Sequence, residues 1–507
     1  MAIEVENWND LDAIRNDLTE DYVLVNDIDQ NSDGYDTHAS ETANSEAGWE
    51  PIGDGTNPFS GTLDLAGYSI SDLYIDRPSN NNTGLIGQAE SNAIIQNGTI
   101  NVISVTARFG SSACVGQIID SVQILDITTS GNIFGVRDDG VSSCGGVVGA
   151  VVFGTQKIER CFSSCNVEAK SYNGPTQAGG LIGALRDSPE VIGCGATGNV
   201  DGGTVGDRIG GLVGGMGVGG GSENETPKIL NCYARGSVTG DEAVGGLVGW
   251  LNTGGTGSKA TIEKSYSTGA VSGDTDVGGL LGSIETGSDY DILDSFWDTE
   301  TSNQANSAGD ETGKTTAEMK DRDTFTDTAT TGLSEAWDMA TVDTYDETKT
   351  WGIGDLGSTT INDGYPFLMT FQEEPVDTGV YSREDVGTLP GTDDDLAILY
   401  STADKDDVSV EDTNRVGITG LGILIHQFKD QLASGPVTGK WIGQTTQTPS
   451  TATVYLQIFN QSTLTWETVD TNDSASVDTD FTLQGGVADS TDYISDGQVS
   501  FRVYQDV

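Results

Sequence analysis

Five times the chain writes a pair of glycines, two apolar residues and a third glycine: CGGVVGAV from Cys144, AGGLIGAL from Ala178, IGGLVGGM from Ile209, VGGLVGWL from Val244 and VGGLLGSI from Val277. The paired glycines begin at 145, 179, 210, 245 and 278, so the spacing is 31 to 35 residues. A period in that range marks a solenoid, a propeller or an array. A phosphate-cradling loop is excluded, because it needs a helix directly behind its glycines and none follows here. The GMGVGG run from Gly215 to Gly220 falls inside a repeat and reads as a corner for the same reason.

The second half of each period selects the architecture. KIERCFSSCNVEA from Lys157, EVIGCGATGNV from Glu190, KILNCYARGSVTG from Lys228, TIEKSYSTGAVSG from Thr261 and DILDSFWDT from Asp291 alternate in polarity as strands do. Helical repeats are therefore excluded. A propeller blade needs about 40 residues and four strands, whereas three short strands fill one of these periods. Each period is expected to be one turn of a right-handed parallel β-helix, bonded to the turns above and below at about 4.8 Å. About eight turns fit between Gly55 and Trp297, a rod on the order of 40 Å long.

With these elements in hand, residues 8 to about 370 resemble the GLUG-repeat proteins, named for their Gly-Leu-apolar-Gly element. The resemblance includes WNDLDAIRNDLTEDYVLVNDID from Trp8, GWEPIG from Gly48, PFSGTLDLAGYSISDLYI from Pro58 and WGIGDLGSTTINDGYPFL from Trp351. It implies a β-helix of the kind found in large surface proteins and adhesins, and it carries no catalytic motif. The expected divisions are an N-terminal cap over 1–54, the β-helix over 55–300, a closing segment over 301–375 and an antiparallel β-sandwich over 376–507. Trp337, Trp351 and Tyr365 are expected to fold back over the open end of the rod. The sandwich shows alternating runs such as TATVYLQIFN from Thr451, and from ILIHQFKDQ (Ile423) to the closing RVYQ it resembles structural modules of tailed viruses.

Charge sets the environment. Against 78 Asp and Glu stand 23 Lys and Arg, a net charge of −55. Disorder does not follow, since apolar residues recur in register and eight Trp and 15 Tyr accompany them. A folded surface coated with carboxylates repels itself in dilute salt and is screened in concentrated salt, which is a halophile's surface. Nucleic-acid binding, which needs a basic face, is excluded. The opening MAIEVENWNDLDA has no secretory pattern, and the best apolar run, VGITGLGILI from Val416, is too short and glycine-rich to span a bilayer. A virion component assembled in the host cytoplasm and exposed on the particle exterior reconciles an adhesin-like fold with that opening. The six cysteines fit buried free thiols, because Cys161, Cys194 and Cys232 share one repeat position with Ser265 and Ser295.

Chemistry-bearing residues are sparse. Two histidines, His38 and His426, and no HExxH, CxxC or Gly-x-Ser-x-Gly element leave metal or nucleophilic catalysis without support. DQNSDGYD places Asp29, Asn31 and Asp33 at alternate positions before Gly34, with Asp36 following, as at the start of a calcium loop; Ca2+ or Mg2+ is the implied ion. Trp250 stands where other repeats hold Ala150, Ala184, Gly215 and Ser283, and it opens a long insert. With Asn252 and the loop residues Glu223 and Asn224 it forms the candidate glycan or receptor contact. The function expected is a fibre, spike or baseplate appendage of a halophilic virus, bound to other virion proteins and to a host surface glycan or S-layer glycoprotein, as a homo-oligomer and most simply a trimer. A glycan-cleaving tailspike and a cellular adhesin are the alternatives. If the acidity is adaptive, the melting temperature falls as KCl is lowered from molar to about 0.1 M, where the Debye length reaches about 10 Å; an unchanged thermal unfolding curve contradicts it.

Overall fold

The computed structural model describes residues 2–137, 140–171, 176–217, 223–254, 256–309, 311–342, 344–356 and 359–372, and beyond these 380–386, 400–401, 423–431, 436–445, 448–477, 479, 481–495 and 498–505. Two compact units emerge, Met1–Gly354 with Ile361–Phe371, and Asp355–Thr360 with Gln372–Val507. The boundary expected near Glu373 lies outside the described residues.

The first unit is a parallel β-solenoid. Strands Glu242–Gly245 and Val248–Asn252 flank one glycine corner, and each pairs in parallel with its counterpart in the turns before and after. A methyl group on Gly249 would meet the backbone of Ile209 at 2.5 Å and of Arg208 at 2.6 Å, in the preceding turn. Gly149, Gly183, Gly214 and Gly282 are equally closed off, each within 2.6 Å of backbone. On Gly245 a Cβ would lie 1.9 Å from the carbonyl of Val248, and on Gly246 it would lie 2.0 Å from that of Gly279. None of these glycines has a positive φ. The repeat thus demands glycine for close approach of two backbones, where the sequence alone pointed to tight corners.

Left-handed corners do occur, mostly without glycine, one position after the next strand or, at Asp126, within the long strand Gln123–Arg137. Asp126, Arg160, Gly193, Asn231, Lys264 and Asp294 take φ between 50 and 61 or, at Lys264, 48. Behind this corner the side chains of Cys161, Cys194, Cys232, Ser265 and Ser295 stack in the core. The backbone N–H of Cys161 donates to Cys194 Sγ at 3.4 Å, Cys194 N–H to Cys232 Sγ at 3.4 Å, Cys232 N–H to Ser265 Oγ at 3.1 Å and Ser265 N–H to Ser295 Oγ at 3.2 Å. Small groups that accept a hydrogen bond fill the slot, which is why cysteine and serine exchange there. All six cysteines are buried and unbridged.

The turn count and strand count differ from expectation. The sheet containing Trp250 has seven strands, from Ile86–Ala89 to Leu281–Ile284, so there are about seven turns where eight were expected. One period carries five short strands, not three: Ile182–Leu185, Glu190–Ile192, Gly195–Ala196, Val200–Asp201 and Asp207–Gly210. Brief strands between sharp corners hide from a reading by alternation, which needs four or more residues.

Both ends are covered. Ile3–Val5, Tyr22–Leu24 and Thr62–Asp64 continue the parallel ladder into the first segment. Helix Trp8–Ala13 lays Trp8 and Leu11 on the core, and its first N–H groups are held by the Asn7 side chain, with Asn9 N–H at 2.9 Å and Asp10 N–H at 3.3 Å. At the other end Thr312–Lys314 pairs with Phe296–Asp298. Trp337, Trp351 and Tyr365 do not sit over the open end as expected. They pack on the rod's flank, against the outward aromatic column Tyr233, Tyr266 and Phe296, with Trp351 ring centroids 6.3 Å from Tyr233 and 6.0 Å from Tyr266. An aromatic at the position after the buried Cys or Ser needed a cover, and the closing segment supplies it.

In the second unit Val380–Val386, Ile423–Gln431, Gln498–Gln505, Val454–Asn460 and Thr465–Asn472 form an antiparallel sheet. Val437–Gly443 and Phe481–Val487 form another. Leu456, Ile458, Leu483, Phe501 and Val503 are buried together between them, with Trp441 packed against the cluster. The fold is all-β, as the alternating runs predict. Gly249→Ala is expected to cost about 2–3 kcal/mol through overpacking. Gly254→Ala, whose nearest neighbour is a side-chain oxygen at 3.1 Å, is expected to stay within about 0.5 kcal/mol; denaturant midpoints in molar KCl read both.

Candidate functional site

Register places Trp250 opposite Gly215 in one neighbouring turn and Ser283 in the other, in a column that continues through Ala184, Ala150, Gln117 and Gln88. Its strand neighbour Leu251 is fully buried, so the strand is fixed by the core, whereas Trp250 is only partly buried. The guanidinium carbon of Arg208 lies 4.1 Å from the centroid of its ring, a cation–π contact. Arg208 belongs to strand Asp207–Gly210 and is left-handed at φ 70, in one column with Ala243 and Asp276, both at φ 51. These irregular positions lean out of the strand beside the tryptophan column.

The ring borders a groove of about 420 Å3 also lined by Arg208, Glu242, Asp276, Ser283 and Glu285. Glu242, Asp276 and Glu285 are exposed. The Ser283 hydroxyl donates to Asp276 at 3.4 Å. Asp207, on the same rim, accepts the Thr176 N–H at 2.6 Å. Arg208, Glu242 and Asp276 escaped the sequence reading. Repeat alignment puts them in the glycine block, but their meeting with Trp250 depends on how the two sheets are offset, which spacing does not reveal.

The two long inserts lie side by side: Asn224 N–H donates to Thr256 at 3.2 Å, Glu225 N–H to Ser258 Oγ at 3.0 Å, and Lys259 N–H to Glu225 at 2.8 Å. Glu223 and Asn224 are exposed in that pair of loops but do not line the Trp250 groove. Asn252 follows Trp250 by two residues, and its Oδ1 accepts the Gly254 N–H at 2.9 Å. Part of the GMGVGG run, residues 218–220, lies outside the described residues.

In the predicted metal turn the Asp29 carboxylate accepts the Asn31 N–H at 2.8 Å and its side-chain amide at 3.1 Å, which holds this carboxyl below its ordinary range. The Asp33 carbonyl accepts the Trp8 N–H at 3.0 Å, and Asp36 lies in the short helix Tyr35–His38. The turn so formed anchors the N-terminal helix. Among the described residues no three His, Cys, Asp or Glu side chains converge as a metal set. The cysteines are chemically quiet: burial pushes the Cys144 and Cys165 thiols up to about 11, so they carry no thiolate at neutral pH.

No family model matches the chain. Over 320 residues, 62% of the chain, it is 28% identical to halomucin of Haloquadratum walsbyi. Over 137 residues, 27% of the chain, it is 32% identical to a protein named as a Gly-rich membrane protein of Evansella cellulosilytica. The matched stretches span 3% of the first relative and 14% of the second. Among solved structures, the enzymatically active domain of tailspike protein 4 of bacteriophage CBA120 aligns over 89% of this chain and 63% of its own, at 10% identity and a TM-score of 0.13, from which no shared fold follows. Among the described residues no helix is long and apolar enough to cross a membrane.

Trp250 is partly buried on the solenoid, with Arg208 against its ring. Trp250→Ala is expected to lower stability by about 1 kcal/mol or less, the scale of a partly exposed cation–π pair. Leu251→Ala, one residue along and fully buried, is expected to cost about 2–5 kcal/mol. Parallel denaturation of the two variants in molar KCl reads the difference.

Proposed function

We propose that this chain is a surface-displayed attachment rod built for concentrated salt, and that its setting is the virion of a halophilic virus, as a tail fibre, spike or baseplate appendage. The observation that carries the attachment reading is a solenoid whose core, corners and thiols are committed to structure and which carries Trp250, with Arg208 on its ring, at a polar groove on one flank. The net charge of −55 supports the salt-rich setting. Similarity to halomucin over 320 residues supports a place at a surface. The virion reading draws support from the C-terminal resemblance to tailed-virus modules. Host surface glycan or S-layer glycoprotein is the partner, bound without cleavage, and the chain acts as a homo-oligomer.

The same similarity to halomucin favours a second setting, the surface of a cell. Fluorescently labelled protein in molar KCl is expected to decorate intact host cells, and mass spectrometry is expected to find the chain in gradient-purified particles. Detection in the cell envelope without particles selects the adhesin. Failure to bind any cell of the source community overturns attachment, and release of sugar fragments from purified surface glycan overturns the reading without cleavage.

A further inference from the structure

We propose that copies of this chain add to one another head to tail, the strand Ile3–Val5 of one copy extending the ladder that ends at Tyr290–Leu293 of the next. The proposal goes beyond the attachment reading and does not depend on it. One parallel ladder runs the length of the solenoid, from Ile3–Val5 through Tyr22–Leu24 and Thr62–Asp64, then in register through every turn to Tyr290–Leu293. The covers at the two ends close the core but leave this ladder open. Among the described residues Ile3–Val5 pairs only with Tyr22–Leu24, and Tyr290–Leu293 only with Ala260–Glu263.

The two open edges are complementary. In a parallel ladder, alternate residues turn their N–H and C=O groups to opposite neighbours. The Ile3 N–H donates to Asp21 at 2.8 Å and the Val5 carbonyl accepts from Val25 at 3.3 Å, so Glu4 between them turns its backbone groups away from the rod. At the other edge the carbonyls of Asp289 and Leu293 accept the N–H groups of Ala260 at 3.2 Å and Lys264 at 3.0 Å, which leaves Ile292 turning its own outward. Carrying the register one step further sets Ile3 on Ile292 and Glu4 on Leu293, and the Glu4 N–H then meets the Ile292 carbonyl. Side chains agree with this register. Ile3 is 46% exposed although it stands in the column of Ile95, Ile124, Ile158 and Ile262, all fully buried. Leu293 is 41% exposed and Ile292 only partly buried, because no turn follows them. A second copy supplies what each edge lacks.

Charge sets the condition. Like charges directly opposite one another oppose strand pairing, and this register contains none: Glu4 falls on Leu293, and Ala2 on Asp291, whose carboxylate is already held by Lys259 at 2.8 Å. Carboxylates are a usual guard of a free edge, but the guard here depends on salt. At 0.1 M the Debye length is about 10 Å and two chains of charge −55 repel, whereas in molar salt it is about 3 Å and repulsion is confined to contact. Because the ladder runs along the rod, the contact repeats without closing and builds an open filament.

Sedimentation of the full chain over a range on the order of 1 to 100 μM, suited to a small interface, tests the proposal. In molar KCl the mass is expected to rise with concentration, and at about 0.1 M to stay fixed. Glu4→Pro removes the outward amide without touching a bond inside the rod, and Leu293→Asp sets a carboxylate against Glu4 of the neighbouring copy. Each variant alone is expected to hold one fixed mass in molar KCl. Mixed, they keep one sound edge each, so the mass is expected to double and stop. Glu4→Lys combined with Leu293→Asp is expected to restore growth. A wild-type mass independent of concentration overturns the proposal. So does growth that continues in Leu293→Asp alone, even if Glu4→Pro fails to fold, or that passes doubling in the mixture.

Discussion

Everything in the solenoid depends on how closely one turn's backbone approaches the strand of the turn before it. At Gly249 the space for a side chain is already filled by the main chain of Arg208 and Ile209. Two sheets that meet this closely leave no room for side chains at the contact, so the core lies to either side of it, in Leu247, Val248 and Leu251. The glycines give up conformational entropy in the unfolded chain, and the repeat recovers stability through parallel ladders that bond each turn on both sides. The same contact fixes the offset that brings Arg208 from one turn beneath Trp250 of the next. Fold and candidate site are therefore consequences of one steric condition.

Much of this was legible in the residues. The glycine spacing and the Cys-to-Ser exchange at 161, 194, 232, 265 and 295 revealed the stack, because a repeated slot keeps its size and hydrogen-bonding capacity. The paired loops near Asn224 and Thr256 followed from insert lengths alone. The five-strand turns did not, since two-residue strands such as Gly195–Ala196 have no alternation to detect. Nor did the flank position of Trp337 and Trp351, whose partners Tyr233 and Tyr266 reside on the outer side of turns far away in sequence. Trp250 stood out because its equivalents are small. Its partner Arg208 did not, because no spacing in one sequence encodes the offset between two sheets.

The acidity also bears on the candidate site. A chain with 78 Asp and Glu, most of them solvent-facing, is poorly suited to capture of anions by charge, and concentrated salt would erase long-range capture in any case. What remains at the groove is short-range: polar side chains such as Glu242, Asp276 and Ser283, and a rigid backing. The solenoid supplies the backing, because Trp250 is held between residues whose positions are set by hydrogen bonds to turns on both sides.

The rod is fastened unevenly along its length. Near the N-terminus the turns are joined by long strands, Ser69–Thr83, Ile94–Ser111 and Gln123–Arg137. Near the other end the closing segment lies as a splint across Tyr233, Tyr266 and Phe296, tying three successive turns together from outside. Between them, from about Ser142 to Gly217, the turns are joined mainly by short ladders and shared core, and the closing segment reaches this stretch through Phe371 against Phe162, ring centroids 5.5 Å apart. In a chain of nearest-neighbour units, the least-fastened middle is where tension concentrates. Under pull along its axis the middle is expected to part first, while the two fastened ends stay whole.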